Sequence, residues 1–389
     1  MSVRRPATAV LVAGVVAAVA VVGLSAAGPA RAASLQEVTG FGTNPGNLQM
    51  FRYVPDGLPS GRPVVVALHG CTQNATAYAA GTGWTKLAEQ WRFSVVFPQQ
   101  RTANNLNSCF NWFEAGDTRR GAGEPLSIKQ MVDRARQDTG ASAAYVSGLS
   151  AGGAMTSVLL ATYPDVFSGG GVVAGLPHGC ATSVVQAYGC MNPGVDLTPA
   201  QWGDRVRAAH SGGPRPKVSI WHGTADTTVV PANAEELVEQ WTDVHGTDQV
   251  PEVSDTVAGY PHRVYGGVVE LYRITGMGHG HPVDPGSGPA QCGAAGAHVL
   301  DVDICAAYHM GRFWGLDAGS PTPTTTSTGT TPRPPYTATA SGTATQHYVA
   351  GRVGVADYTT LGARYGYLAA FTLYRCPAGW TDKPDCSPL

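Results

Sequence analysis

Gly148-Leu149-Ser150-Ala151-Gly152 is the only G-x-S-x-G of this chain. It follows the apolar run Ala143-Ala144-Tyr145-Val146 and precedes a helix-like stretch from Ala151 to Tyr163. A sharp strand-to-helix turn lifts a serine hydroxyl above the sheet edge, where it can attack a carbonyl. Small residues two positions either side let the backbones approach. With 50 glycines in the chain, such a pentapeptide also arises by chance. A serine hydroxyl is a weak nucleophile until a base sits within hydrogen-bond reach, so the reading depends on partners.

On a strand–turn–helix serine of this kind the partners follow in the order acid, then histidine. The acid expected here is Asp226, in Trp221-His222-Gly223-Thr224-Ala225-Asp226, just beyond an apolar strand. Asp204 and Asp243 lie on polar, helical stretches and read as solvated charges, and Asp284 comes after the histidine. The expected base is His279, in the glycine-rich Thr275-Gly276-Met277-Gly278-His279-Gly280-His281-Pro282. His281 is the rival; His279 is preferred because it lies nearer the strand end between glycines. His178, His210, His245, His262, His298, His309 and His347 read as structural or surface groups. Acyl transfer also needs oxyanion donors. One is the N–H after the nucleophile, that of Ala151, and the other comes from the loop after an early strand. In His69-Gly70-Cys71-Thr72-Gln73-Asn74 we assign it to the Cys71 N–H.

These groups need a scaffold that brings strand ends together. Continuous apolar runs at Pro63–His69, Phe93–Phe97, Tyr145–Ser147, Val218–His222 and Val268–Ile274 read as strands buried on both faces. Helix patterns at Trp84–Trp91, Ser127–Asp138, Ala151–Tyr163, Pro231–His245 and Ile304–Trp314 alternate with them. That alternation predicts an α/β fold with a mainly parallel central sheet flanked by helices. In such sheets sites form at the carboxyl ends of strands, and the nucleophile, acid, base and oxyanion loop all follow strands.

The 389 residues divide at a Thr/Pro tract beginning Ser320-Pro321-Thr322-Pro323. Such tracts bury no core and act as extended spacers. The organisation expected is a signal peptide over 1–32, a catalytic domain over 33–318, a linker over 319–336 and a small C-terminal module over 337–389. Arg4 and Arg5, the apolar run Val10 to Leu24 and Ala30-Arg31-Ala32 form a basic–apolar–cleavable export signal. The apolar run is too short for a membrane span, which needs roughly 18 residues. The chain is therefore expected to be secreted.

The mature chain has eight cysteines: Cys71, Cys109, Cys180, Cys190, Cys292, Cys305, Cys376 and Cys386. An even count in an exported chain predicts disulfides. Pairing neighbours in order is the expectation, since three such pairs close short loops. No C-x-x-C or paired Cys/His spacing points to a metal, and no cofactor is expected. Charged residues make up 13% and the formal net charge is −2. That offers no basic surface for nucleic acid or an anionic membrane, and a monomer is expected. The aromatic residues of the C-terminal module, Tyr348 to Trp380, either fill a minimal core or dock on a polymer, and a Cys376–Cys386 staple would steady them.

The segments Ala33 to Pro55, LHGCTQN (68–74), FPQQ (97–100), CFNWF (109–113), GLSAGGAM (148–155), HGTAD (222–226), GMGHG (276–280) and DICAAYHMGRFWGL (303–316) resemble a known family. It is that of secreted esterases grouped with extracellular polyhydroxybutyrate depolymerases and with the acetylxylan and feruloyl esterases of carbohydrate esterase family one. The resemblance covers nearly the whole catalytic domain. It implies an α/β-hydrolase fold without metal, with Ser150 as nucleophile, Asp226 as orienting acid and His279 as base. It also implies Cys71 as oxyanion donor, linked to Cys109. The fungal xylan esterases tend to carry Tyr where this chain has Gly70, which brings it nearer the bacterial depolymerase pattern. His347 to Leu373 is similar, patchily, to small substrate-binding modules of secreted polyester depolymerases.

The function expected is thus hydrolysis of a polymeric ester through an acyl-enzyme, with a poly(3-hydroxybutyrate)-type polyester as lead substrate. Acetylated or feruloylated xylan is the alternative. A non-catalytic polymer-binding protein is the alternative of another class.

Overall fold

Val64–Leu68 is wholly buried, as its unbroken apolar run requires. Its alternate side chains feed two cores. Val64, Val66 and Leu68 enter one, and Val65 and Ala67 the other, because successive strand residues point to opposite faces. This computed structural model describes residues 1–2 and 33–319. Toward the C-terminus it describes 338–349, 352–365, 367, 370–376 and 379–381.

The main sheet has ten strands: β1 (Gln36–Val38), β2 (Gln49–Tyr53), β3 (Val64–Leu68), β4 (Ser94–Gln99), β5 (Ala144–Leu149), β6 (Phe167–Val173), β7 (Lys217–Gly223), β8 (Val253–Val257), β9 (Tyr260–Tyr265) and β10 (Val269–Ile274). Their spatial order is β1-β2-β4-β3-β5-β6-β7-β10-β9-β8. The six strands from β4 to β10 in that order run parallel, and antiparallel strands extend both edges. The helices of this unit are α1 (Ala75–Gly81), α2 (Trp84–Trp91), α3 (Gly123–Thr139), α4 (Ala151–Thr162), α5 (Val184–Met191), α6 (Pro199–Ala209), α7 (Ala232–His245) and α8 (Ala306–Phe313). Short strands β11 (His281–Val283) and β12 (Val299–Asp301) pair apart from the main sheet. The mainly parallel sheet with flanking helices is as expected.

Some elements differ from their sequence patterns. α3 begins before Ser127, since Pro125 fits a first turn and the Asp117 carboxylate accepts the Glu124 N–H at 2.7 Å. Pro231 stands just outside α7 as its N-cap. β6 (FSGGGVV) gave no strand signal because glycine weakens strand propensity. Its glycines are there for space: a Cβ on Gly171 would lie 2.3 Å from the Met310 sulfur. α6 opens with a capping box between Thr198 and Gln201, a signature present in the sequence.

The chain divides into two compact units, Met1–Ser320 and Pro321–Leu389. In the second, β13 (Ala338–Thr343), α9 (Ala344–Val349), α10 (Val355–Tyr365), β14 (Ala370–Cys376) and β15 (Gly379–Thr381) surround a small core of Ala344, Val353, Leu361 and Leu373. Tyr358 and Trp380 pack on that core, whereas Tyr348 and Tyr367 are exposed. The core-filling role thus holds for Tyr358 and Trp380, while the rings of Tyr348 and Tyr367 pack beside Tyr358 at the surface. Apart from residues 1–2 and 319, the signal segment and the linker lie outside the described residues, as does the Cys376–Cys386 pairing.

Candidate active site

Ser150 closes β5 and opens α4 with φ 58° and ψ −118°. Non-glycine residues rarely adopt such a conformation, and it costs about 1–3 kcal/mol. The turn is held by Ser150 N–H to Val173 O at 2.9 Å and by Ala154 N–H to Ser150 O at 2.8 Å. Its glycines are sterically required. A Cβ on Gly148 would lie 2.2 Å from Gly152 O, and one on Gly152 would lie 2.5 Å from Leu68 O. α4 is buried along its whole length, so the turn rests on a fixed base.

Asp226 follows β7 and His279 follows β10, which are parallel neighbours. Their loops are laced together: Ala225 N–H donates to Met277 O at 3.0 Å, and Gly276 N–H to Thr224 Oγ1 at 2.9 Å. Within this lacing His279 Nδ1 lies 2.7 Å from Asp226 Oδ2. The other oxygen, Oδ1, accepts Thr228 N–H at 2.9 Å and Val229 N–H at 3.0 Å. Burial would raise the Asp226 carboxyl, but the hydrogen bond and charge of His279, with the Val229 amide, outweigh it and hold it below its usual value. An ionised carboxylate only accepts. The proton between the pair therefore sits on Nδ1, which leaves Nε2 as the ring nitrogen not engaged by the carboxylate.

The rivals lie elsewhere. His281 is wholly buried at the start of β11. Its Nδ1 is 3.4 Å from the Tyr78 hydroxyl, and burial lowers its pKa to about 3. Asp204 and Asp243 both pair with Arg207, at 2.8 and 2.7 Å. Asp243 is half-buried rather than freely solvated, because Arg207 draws α6 and α7 together. Asp284 accepts from Gln291 Nε2 at 3.0 Å.

Ser150, Ala151, Cys71 and His279 line one cavity of about 450 Å³. Ala151 is the first residue of α4, where an N–H has no acceptor within the helix. The Cys71 backbone is pinned on both sides. Gly70 N–H donates to Gln73 Oε1 at 2.9 Å, and Thr72 N–H to Asn107 O at 2.7 Å. Cys71 is also disulfide-bonded to Cys109. Cys180–Cys190 and Cys292–Cys305 are the other two disulfides of this unit, so the in-order pairs of the first six cysteines are formed.

Four groups at the site went unassigned in the sequence. His222, buried at the end of β7, bonds Val229 O through Nε2 at 2.8 Å and so steadies the Asp226 turn. Its HGTAD setting was the available signal. His298, read as a structural or surface group, is exposed and also lines the cavity. Its ring is 6.1 Å from that of His279. Its turn is tied to the loop after β3 by Gln73 Nε2 donating to Ala297 O at 2.8 Å. His69 lies beneath that loop, its Nδ1 2.7 Å from Gly70 O. The apolar wall from α5, including Val184, Tyr188 and Met191, also belongs to the cavity; no sequence motif marked it. Away from the cavity, the carboxylates of Asp284, Asp301 and Asp303 come within 4.8 Å of one another and could hold a cation.

Residues 48–253 match the profile of the family described as Esterase PHB depolymerase. The chain is 57% identical over 379 residues to poly(3-hydroxyalkanoate) depolymerase C of Paucimonas lemoignei, spanning 92% of this chain and 91% of that one. It is 38% identical over 262 residues to feruloyl esterase B of Thermothelomyces thermophilus, spanning 64% of this chain and 89% of that one. Among solved structures, an acetyl xylan esterase from Aspergillus awamori superposes with a TM-score of 0.60 at 34% identity, over 63% of this chain and 94% of that one.

Proposed function

The chain belongs to the esterase PHB depolymerase family, whose members are carboxylic ester hydrolases, and from that premise we propose a secreted serine esterase that cleaves a polymeric ester, an aliphatic polyester of the poly(3-hydroxyalkanoate) type. The observation that carries the reading is the 2.7 Å bond from His279 to Asp226 in a cavity shared with the strained Ser150.

In this reading His279 Nε2 takes the Ser150 proton as Oγ attacks the ester carbonyl. Asp226 holds the ring in the productive tautomer and stabilises its charged form. The Cys71 and Ala151 N–H groups receive the oxyanion; fixed donors need no reorganisation as charge develops. The imidazolium returns its proton to the departing alcohol oxygen, leaving Ser150 acylated. Water, deprotonated by the same ring, releases the acid. Three disulfides and the Ala30-Arg31-Ala32 signal support export.

The polyester choice is supported by the extent of likeness. The depolymerase relative matches 92% of the chain, the feruloyl esterase 64%. Acetylated or feruloylated xylan is the second reading, favoured by the fungal relatives and the acetyl xylan esterase structure. Side-by-side product release from polyhydroxybutyrate film, acetylated xylan and feruloylated xylan decides. Release from xylan without film erosion would replace the polyester reading.

A further inference from the structure

Beyond the terminal Met1, six large apolar side chains are exposed among the described residues of the catalytic unit: Leu106, Val184, Val185, Tyr188, Val250 and Val253. Four of them gather at one place. Val184 and Tyr188 line the cavity, Val185 is next to Val184 on α5, and Leu106 stands between Asn105 and Asn107, which also line it. Their exposures are large: Leu106 91%, Val185 78%, Tyr188 67% and Val184 48%. Leu106 and Val185 do not line the cavity, so filling it does not account for them.

The segments that carry them are uncharged. Residues 102–113 and 180–195 contain no Asp, Glu, Lys or Arg, in a chain with 25 basic and 27 acidic side chains. Both are also stiffened. Cys71–Cys109 clips the first and Cys180–Cys190 the second, and the Ser183 side chain caps α5. A rigid apolar edge loses little conformational freedom when it is covered.

We propose that Leu106, Val184, Val185 and Tyr188 form a docking rim that seats the catalytic unit on the surface of a solid, uncharged aliphatic polyester, with the cavity mouth against the polymer. This rests on the polyester reading above and deepens it. Such a surface presents methyl, methylene and ester groups, which apolar side chains cover without stranding donors. A polysaccharide presents hydroxyls, which would be desolvated against valine and leucine with nothing to bond. An anionic membrane would call for Lys and Arg that these segments lack.

The test uses the full chain and a Leu106→Ser/Val185→Ser double variant, assayed on amorphous poly(3-hydroxybutyrate) film and on a soluble short-chain p-nitrophenyl ester. The readout is the ratio of the two rates, so that any binding by the C-terminal unit, common to both proteins, cancels. The ratio is expected to fall about tenfold or more with soluble-ester turnover unchanged, and a Leu106→Met/Val185→Ile variant should restore it. An unchanged ratio, or equal loss on both substrates, overturns the rim. So would a parent dimer, or parent binding to neutral phosphatidylcholine vesicles, that the double variant abolishes. A parent chain that deacetylates xylan but leaves film untouched removes the polyester reading itself, and the rim's occupant with it.

Discussion

The buried ring of His69 accepts the backbone N–H of Gln100 on Nε2 at 3.2 Å, and this fixes its tautomer. A backbone amide can only donate, so the ring proton lies on Nδ1 and is donated to Gly70 O at 2.7 Å. Gln73 N–H reaches the same carbonyl at 3.3 Å. In a trans peptide the C=O and the following N–H point in opposite directions. Holding the Gly70 carbonyl therefore aims the Cys71 N–H the other way. His69 thus acts on the proposed oxyanion donor through Gly70 and does not itself line the cavity.

His69→Phe keeps the volume and removes both bonds. Loss of an oxyanion donor costs roughly 100- to 1000-fold, so a donor left in place but loosely aimed should cost less, about 10- to 100-fold. The loss should fall on kcat with KM nearly constant, measured on a soluble ester. His69→Asn, whose amide can reproduce the Nδ1 donation, should recover part of it. A KM effect alone would mean that His69 shapes binding instead.

Ser150→Ala and His279→Ala should each abolish turnover while circular dichroism stays that of the parent. His281→Ala should remain active yet melt lower, because it empties a buried site beside Tyr78. An active His279→Ala beside a dead His281→Ala would reverse the assignment of the base.

The strand-end positions of Ser150, Asp226 and His279 were legible because periodicity and motif order are local properties. Distance from the end of β10 also favoured His279 over His281, and it is His279 that bonds Asp226. What stayed hidden depends on distant contacts. His298 lies at the cavity on a turn whose Ala297 carbonyl is bonded by Gln73, over two hundred positions away. β6 reads as a loop until Met310 is seen pressing on Gly171. Asp243 looks like a surface charge until Arg207 is placed beside it. The α5 wall has no motif, since an apolar lining needs only the right volume.

Three buried histidines and the half-buried His309 should make the fold acid-sensitive. Burial lowers His69, His178 and His309 to about 4 and His281 to about 3. In the unfolded chain they titrate near 6.5, so between about 6.5 and 4 the unfolded state binds more protons. Their contribution is complete above 6.5 and is lost as pH falls toward 4, by up to about 1.4 kcal/mol per pH unit for each group. Urea midpoints should drop over this range, and His281→Met should drop less. An identical slope in the variant would mean that His281 titrates normally in the fold.

Glu124 acts with the opposite sign. Its buried carboxyl, in the first turn of α3, accepts Gln100 Nε2 at 2.5 Å and Asn111 N–H at 2.9 Å. Gln100 in turn donates to Cys109 O at 3.0 Å, so this carboxyl anchors the loop that carries the Cys71–Cys109 bridge. Burial, aided by the charge of Asp117, raises it to about 8. The unfolded carboxyl titrates near 4.3, so between about 4.3 and 8 the folded state holds the extra proton. Stability tied to Glu124 is complete below that window and falls as pH rises through it. Glu124→Gln cannot ionise, but it sets an amide against one of the two donors, at a cost of about 1 kcal/mol. The variant should therefore be less stable than the parent at pH 5, and the gap should close or reverse by pH 9. Denaturant midpoints across that range read it directly, and a gap that stays constant would mean that Glu124 ionises as freely in the fold as in water.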